Sequence, residues 1–331
     1  MKAIVSFVAV LVLTAIGYIG GSAGSASKYL FGVVVPYAAF AVFVLFMIIR
    51  ILKWASSPVP FRIPTTTGQQ KSLPWIKDSK IESPSTGLGV IGRMALEVLF
   101  FRSLFRNVKT QLHEGGMLAY GEAKWLWMAG LAFHYSFAIV LFRHLRFFIE
   151  KVPVPIQMVE GLDSFLQIGA PLLYITDVVL LAAVTYLFLR RVGIPQVKYI
   201  SLPADYFPLF LILAIAATGV LMRYFTKTDI VGVKMLAMGL ISFKPAVPDT
   251  IGAMFYTHLF LLSVLFVYFP FSKLVHMGGV FLSPTRNLAN NSRMKRHLNP
   301  WNYPVHVHTY EEYENDFRAK MKEAGLPVEK E

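Results

Sequence analysis

FHYSFAIVLFRHLRFF, residues 133–148, is a run of Phe, Leu, Ile and Val broken by His134, Arg143, His144 and Arg146. It sits inside an apolar stretch at 125–149, long enough to cross a bilayer as a helix. Ionisable side chains in lipid cost free energy and persist where they bind, pair or line a path. Two histidines ten residues apart on one such helix therefore call for a ligand, and for a second helix that shares it.

The second helix is found at the far end of the chain. His258 and His276 lie in and at the end of the apolar run 252–275, while His113, His297, His306 and His308 fall in connecting or terminal segments. Those last four read as solvated imidazoles, since His306-x-His308 has no second ligand pair nearby in sequence. A single histidine in a membrane helix is more often a helix–helix hydrogen bond, but two on each of two helices form a pattern.

Composition agrees with a membrane protein. The 331 residues are 55% hydrophobic and 15% charged, with a mean hydropathy of +0.54, too apolar for a water-soluble domain of this length. Cysteine is absent. This excludes disulfides, Cys-ligated clusters and zinc, and covalent c-type haem held by the chain's own side chains.

Six apolar runs lie near residues 3–20, 29–52, 125–149, 166–189, 206–224 and 252–275. The expected fold is an all-α integral membrane protein of six transmembrane helices, five of them a bundle and one an extra N-terminal helix. Placing the N-terminus inside leaves Lys28, Arg143, Arg146, Lys151, Arg223, Lys227, Lys234 and Lys244 outside and the other 24 of the 32 Lys and Arg inside. That bias accounts for the net charge of +13 without nucleic acid, and it puts both termini in the cytoplasm. The first run, followed by GSAGSASK (21–28), also has the pattern of a signal peptide, with retention the favoured reading.

The chain then divides into 1–28, an N-terminal helix and short outer loop; 29–276, a membrane domain with a cytoplasmic insertion at 53–124; and 277–331, a cytoplasmic tail. PVPFRIPTTTGQQ (58–70) and SPSTGLG (83–89) read as connections without a core. GRMALEVLFFRSLFRN (92–107) reads as one interfacial helix, with Arg93, Arg102 and Arg106 among its apolar residues. No internal repeat is evident, and GVIG (89–92) lacks the context of a nucleotide-binding turn.

If the third helix runs outward, His144 lies about 15 Å beyond His134; on the last helix His276 lies about 27 Å inward of His258. Depth therefore pairs His134 with His276 near the cytoplasm and His144 with His258 near the outside. The unequal spacings require tilt, stagger or a break, and Pro270 is the candidate break. Each pair suits the two axial positions of a b-type haem, giving two stacked haems with no open coordination site. Gly130 either leaves room for a macrocycle edge or packs as a small residue; Arg143 and Arg146 either meet propionates or snorkel. Glu160 and Asp163, in the outer connection, and Asp177, within the fourth helix, are the proton or quinone candidates, with Tyr174 a possible partner for Asp177.

The spacing of ten on one helix and eighteen on another resembles the gamma subunits of respiratory nitrate reductases over residues 29–275. That likeness implies His134 and His276 on the inner haem and His144 and His258 on the outer; the lysine that family uses at its quinol site has no counterpart in 150–165. KWLWMAGLAFHYSFAIVLFRHLRFF, FLRRVGIPQVKYISLPADYFPLFLILAIAATGVLMRYF and YFPFSKLVHMGGVFLSPTRNLANNSRMKRHLNPWNYPVHVHTYEEYENDFRAK are also similar to the DsrM family, cytochrome b subunits of DsrMKJOP complexes in dissimilatory sulfur metabolism. This second likeness implies menaquinone as membrane substrate, a cytoplasmic DsrK-like iron-sulfur partner and a role in sulfate reduction. The tail, basic and then mixed in sign, suits docking of that partner or contact with anionic lipid. The cytochrome b of a membrane heterodisulfide reductase or nitrate reductase, a proton-coupled transporter and a simple anchor subunit are the competing expectations.

Overall fold

The computed structural model describes residues 1–58, 68–294, 304 and 306–330. Most of PVPFRIPTTTGQQ, and residues 295–303 of the tail with His297, lie outside the described residues.

The protein is mostly helical, as expected for a chain whose backbone must satisfy itself in lipid. Five helices are long and apolar enough to cross a membrane: α1 (Lys2–Ser22), α2 (Ser25–Ala55), α4 (Lys124–His144, prolonged by a 3-10 turn to Phe147), α7 (Pro203–Tyr224) and α9 (Ala253–Tyr268, prolonged to Phe271). Helix α3 (Gly87–Phe100) precedes α4 in the chain. Helix α6 (Ile175–Gly193) has 19 residues but carries Asp177, Arg190 and Arg191 and is not one of the five. It begins at 175 rather than at 166. Gln167 and Gly169 take positive φ, and Pro171 follows, so the chain turns there before the helix starts.

Helix α6 packs between α4 and α7, and α7 packs on α9; α1 lies against both α7 and α9, and α2 against α9. Val10, Leu211, Leu261 and Leu265 form the α1–α7–α9 core, and Leu180, Val184 and Ile212 the α6–α7 core, on which Phe133, Phe137 and Val140 of α4 pack. The helices α4, α6, α7 and α9 thus follow one another in an arc. At its two ends stand the four histidines, His134 and His144 on α4, His258 on α9 and His276 just beyond α9, and α4 and α9 make no extended contact with each other.

Glycines set the closest approach in the bundle. A Cβ on Gly21 would stand 2.7 Å from Tyr256 Cβ and 2.9 Å from the Ala253 carbonyl oxygen, and one on Gly17 would stand 3.0 Å from Thr257 Cα. Small residues at this spacing let α1 lie backbone to backbone on α9.

Two short helices absent from the sequence reading cap the end of the bundle that bears His144: α5 (Val154–Asp163) and the apolar α8 (Ile230–Ile241). Asp229 caps α8 by accepting from the amides of Val231 and Gly232. Val233 and Leu236 then pack on Val33, Ile251 and Tyr256.

At the opposite end, beside His134, the expected single helix over 92–107 is broken. Helix α3 ends at Phe101, whose φ of 49° is left-handed, and a separate turn, Arg102–Phe105, follows. A hairpin, β1 (Val108–Leu112) with β2 (Leu118–Glu122), leads into α4. The last helices are α10 (His276–Leu282) and α11 (Tyr310–Glu323).

Candidate functional site

Each of the four helix histidines has its Nδ1 engaged. His134 Nδ1 is 2.8 Å from the Gly130 carbonyl, His144 Nδ1 is 2.7 Å from that of Val140, and His276 Nδ1 is 2.8 Å from that of Lys273. His258 Nδ1 is 2.9 Å from Thr218 Oγ1 on α7, and that hydroxyl lies 2.9 Å from the Ala214 and Ile215 carbonyls. A carbonyl can only accept, so the proton resides on Nδ1 and Nε2 presents a lone pair. This is the arrangement that a metal-binding imidazole needs.

The rings of His134 and His276 have centroids 5.9 Å apart and planes at 81°. A metal–imidazole bond is about 2.0–2.1 Å, so two imidazoles on opposite sides of one metal have centroids about 6.3 Å apart. The pair approaches that separation. Pro270 lies in a 3-10 turn (Phe269–Phe271); the backbone is extended at Ser272 and turns again at Lys273–Val275 before α10 starts at His276. The break therefore falls where the unequal histidine spacings required it. His258 lies within electrostatic reach of His144, and a Cβ on Gly219 would stand 3.5 Å from the His258 ring.

His134, His144 and His276 are exposed in the isolated chain and His258 is half-buried, as befits side chains facing the gap between α4 and α9. Imidazole donors without a thiolate, His134 and His276 among them spaced as a facing pair, are of the kind that holds a b-type haem. Gly130, by contrast, is covered: a Cβ there would meet Leu104 at 3.7 Å and Phe101 at 3.9 Å, so it serves helix packing.

Beside His144 the structure gathers most of the other candidates into one buried network. Arg143 Nε is 2.9 Å from Asp163 and its Nη2 2.8 Å from Asp177, with side chains 7%, 3% and 14% exposed. Thr176 donates its amide and hydroxyl to Asp163 and accepts from Arg143. Tyr224 donates to Asp177 and accepts from the Tyr174 amide. Tyr174 reaches Asp177 through the backbone alone: the Asp177 amide donates to the Tyr174 carbonyl at 3.2 Å, while the carboxylate bonds Arg143 and Tyr224. The Tyr174 ring lies between two guanidiniums, with Arg143 3.7 Å and Arg223 3.9 Å from the centroid.

Arg146 pairs with Glu160 at 2.9 Å. Both arginines first considered for propionates are thus held by carboxylates. A cation not singled out from the sequence stands at the inner end: Arg50 lies 5.5 Å from the Trp54 ring centroid, its Nε buried without a hydrogen-bond partner. The Trp54 ring would lie 3.6 Å from a Cβ on Gly279, one turn beyond His276.

The inner surface under His134 is also built by charge. Arg93 is buried and donates to the backbone carbonyls of Glu82, Arg286 and Leu288, tying α3 to the start of the tail. Arg102 and Arg106 both pair with Glu82. Trp127 and Tyr135 of α4 donate to the carbonyls of Phe100 and Leu99, and Phe101 meets His134 edge-on at 4.9 Å.

Residues 94–296 match the family model for the nitrate reductase gamma subunit. The chain belongs to that family. It is also 46% identical over 279 residues to the Hdr-like menaquinol oxidoreductase cytochrome b-like subunit of Archaeoglobus fulgidus, covering 82% of this chain and 83% of that protein. The protein of the same description from Archaeoglobus profundus is 39% identical over 273 residues, 80% and 81% of the two chains. Membership in the gamma-subunit family makes this a multi-pass membrane cytochrome b.

Proposed function

We propose that the chain is a di-haem cytochrome b that passes electrons between menaquinol, oxidised near the outer histidine pair, and a cytoplasmic iron-sulfur subunit. The observation that carries this reading is the His134–His276 pair, 5.9 Å apart with Nδ1 of each imidazole held by a carbonyl. His134 and His276 hold the inner iron, and His144 and His258 the outer. Haem at each pair supplies a one-electron relay, and two relays in line cross the bilayer.

The protein's own groups handle protons and position. Menaquinol gives up two protons with its two electrons, and acceptors belong near the outer pair. Asp177, the most exposed acid of the buried network, and Tyr224, bonded to it, are the candidates there. Asp163 and Glu160, on α5, lie on the way to the outer surface. Arg143, paired with both Asp163 and Asp177, fixes the end of α4 that bears His144. At the inner end Arg50 is the cation available to a propionate.

For the partner, the likeness to the Hdr-like subunits of the two Archaeoglobus species supports a catalytic subunit akin to heterodisulfide reductase. The likeness to the DsrM family makes this a DsrK-like subunit of a DsrMKJOP-type complex in sulfate reduction, with a nitrate reductase partner the less favoured choice. Both termini lie in the cytoplasm, where the tail that follows His276 meets that partner; attraction of its basic portion to anionic lipid is the competing reading.

A reduced-minus-oxidised spectrum of the purified protein, with a pyridine haemochrome assay, tests this directly. Two b haems per chain, reducible by a menaquinol analogue, are expected. His134→Ala or His276→Ala should remove one and leave the other. A folded, natively loaded protein without haem would leave only a transporter or an anchor.

A further inference from the structure

Among the described residues one cluster of metal-ligating side chains lies outside the bundle, at the start of α11. One ligand atom from each of His306, His308 and Glu312 falls within 4.8 Å of the others. The two imidazoles have centroids 4.9 Å apart and planes at 83°. Two imidazoles at adjacent corners of a tetrahedral ion have centroids about 5 Å apart, against about 6.3 Å for two on opposite sides. The tail pair is thus spaced for one tetrahedral ion, as the His134–His276 pair is spaced to flank one.

Local structure explains the convergence. Thr309 caps α11: its hydroxyl accepts from the Glu312 amide, and Glu312 Oε2 accepts from the Thr309 amide at 2.9 Å. That reciprocal pair folds the Glu312 carboxylate back over the helix start, toward the residues that precede it, and leaves Oε1 free. His308 Nδ1 is 3.8 Å from Asp316 Oδ2, two turns into α11 from the cap. A carboxylate behind one ring nitrogen orients the other toward a metal.

We propose that His306, His308 and Glu312 form a binding site for a zinc-class divalent cation. Two imidazoles and a carboxylate, with water as fourth ligand, match the donors and geometry of Zn2+ and exclude the soft thiolate sites that a cysteine-free chain cannot build. The bound ion fastens the segment at 306–309 to α11, so the tail is a metal-stiffened element independent of the haem assignments.

The test is equilibrium dialysis of Zn2+ against the full-length, chelator-treated protein in detergent, prepared without a histidine tag. One tight site per chain is expected. His306→Ala with His308→Ala should abolish it, Glu312→Gln should weaken it at least about tenfold, and Asp316→Asn should weaken it by about tenfold. The visible spectrum of each variant reports whether the bundle is intact. Absence of tight Zn2+ binding, or binding equal in the wild type and the double variant, overturns the proposal; equal binding would point to His113 or His297.

Discussion

Arg143 shows how one residue can serve two readings of a sequence. By position it was a cation at the outer end of a membrane helix, but its guanidinium proves to be the hub between Asp163 and Asp177. Removing one partner of a buried ion pair leaves an uncompensated charge and costs roughly 3–5 kcal/mol. Arg143→Ala should therefore lower stability by that amount in thermal unfolding, while Asp177→Asn, whose partner keeps Asp163, should cost clearly less. Equal losses would mean that Asp163 contributes nothing to the network. Thr218 carries a second expectation. With its proton directed to the Ala214 or Ile215 carbonyl, the hydroxyl accepts from His258 Nδ1–H, and under the proposed ligation that would make the imidazole a stronger donor, which favours the oxidised metal. Thr218→Val should raise the potential of one haem by tens of millivolts and leave the other in place, as read in a redox titration.

Among the elements, α1 makes the most exacting contact. Gly21→Leu would drive a side chain into Tyr256 and the Ala253 carbonyl, so it should displace α1 from α9. Faster proteolysis between residues 1 and 30 is the measurement, and unchanged protection would deny that this contact holds α1. The helices themselves were legible because uninterrupted apolar runs have few other meanings. The nearness of His134 to His276 was legible because depth follows from rise per residue, and Pro270 marked the break. What could not be read is equally specific. Helices α5 and α8 are too short to stand out from loop, and the start of α6 depended on a turn at Gln167 and Gly169 that periodicity does not register. The union of Arg143, Asp163 and Asp177 joins three elements separated by up to 34 positions, which local pattern does not encode. Glu312 joins His306 and His308 only because a helix cap bends it backward.

In the whole molecule, charge binds the inner surface to the bundle. The Glu82 carboxyl, though burial pushes it up, is held below its ordinary value of 4.5 by hydrogen bonds and charge from Arg102 and Arg106. A depressed carboxyl contributes stability that is present above the ordinary glutamate range and is lost as pH falls through the lowered value. Acidification through that window should release residues 76–107 to hydrogen exchange before the helical bundle, and Glu82→Gln should show the same release at neutral pH. Arg93→Ala, by stranding three carbonyls, should add about 1–3 kcal/mol of local instability and expose 283–291 to protease. If those segments stay protected, the tail is held by something other than these charges.

The open interval between α4 and α9 has a consequence for the cell. Haem held there, as proposed above, would complete the bundle, and the newly inserted chain would be a half-finished product until the haem arrives. Its abundance should then follow haem supply. In cells starved of haem synthesis the chain should be made at the normal rate and cleared faster by membrane proteases, a turnover that pulse-labelling measures.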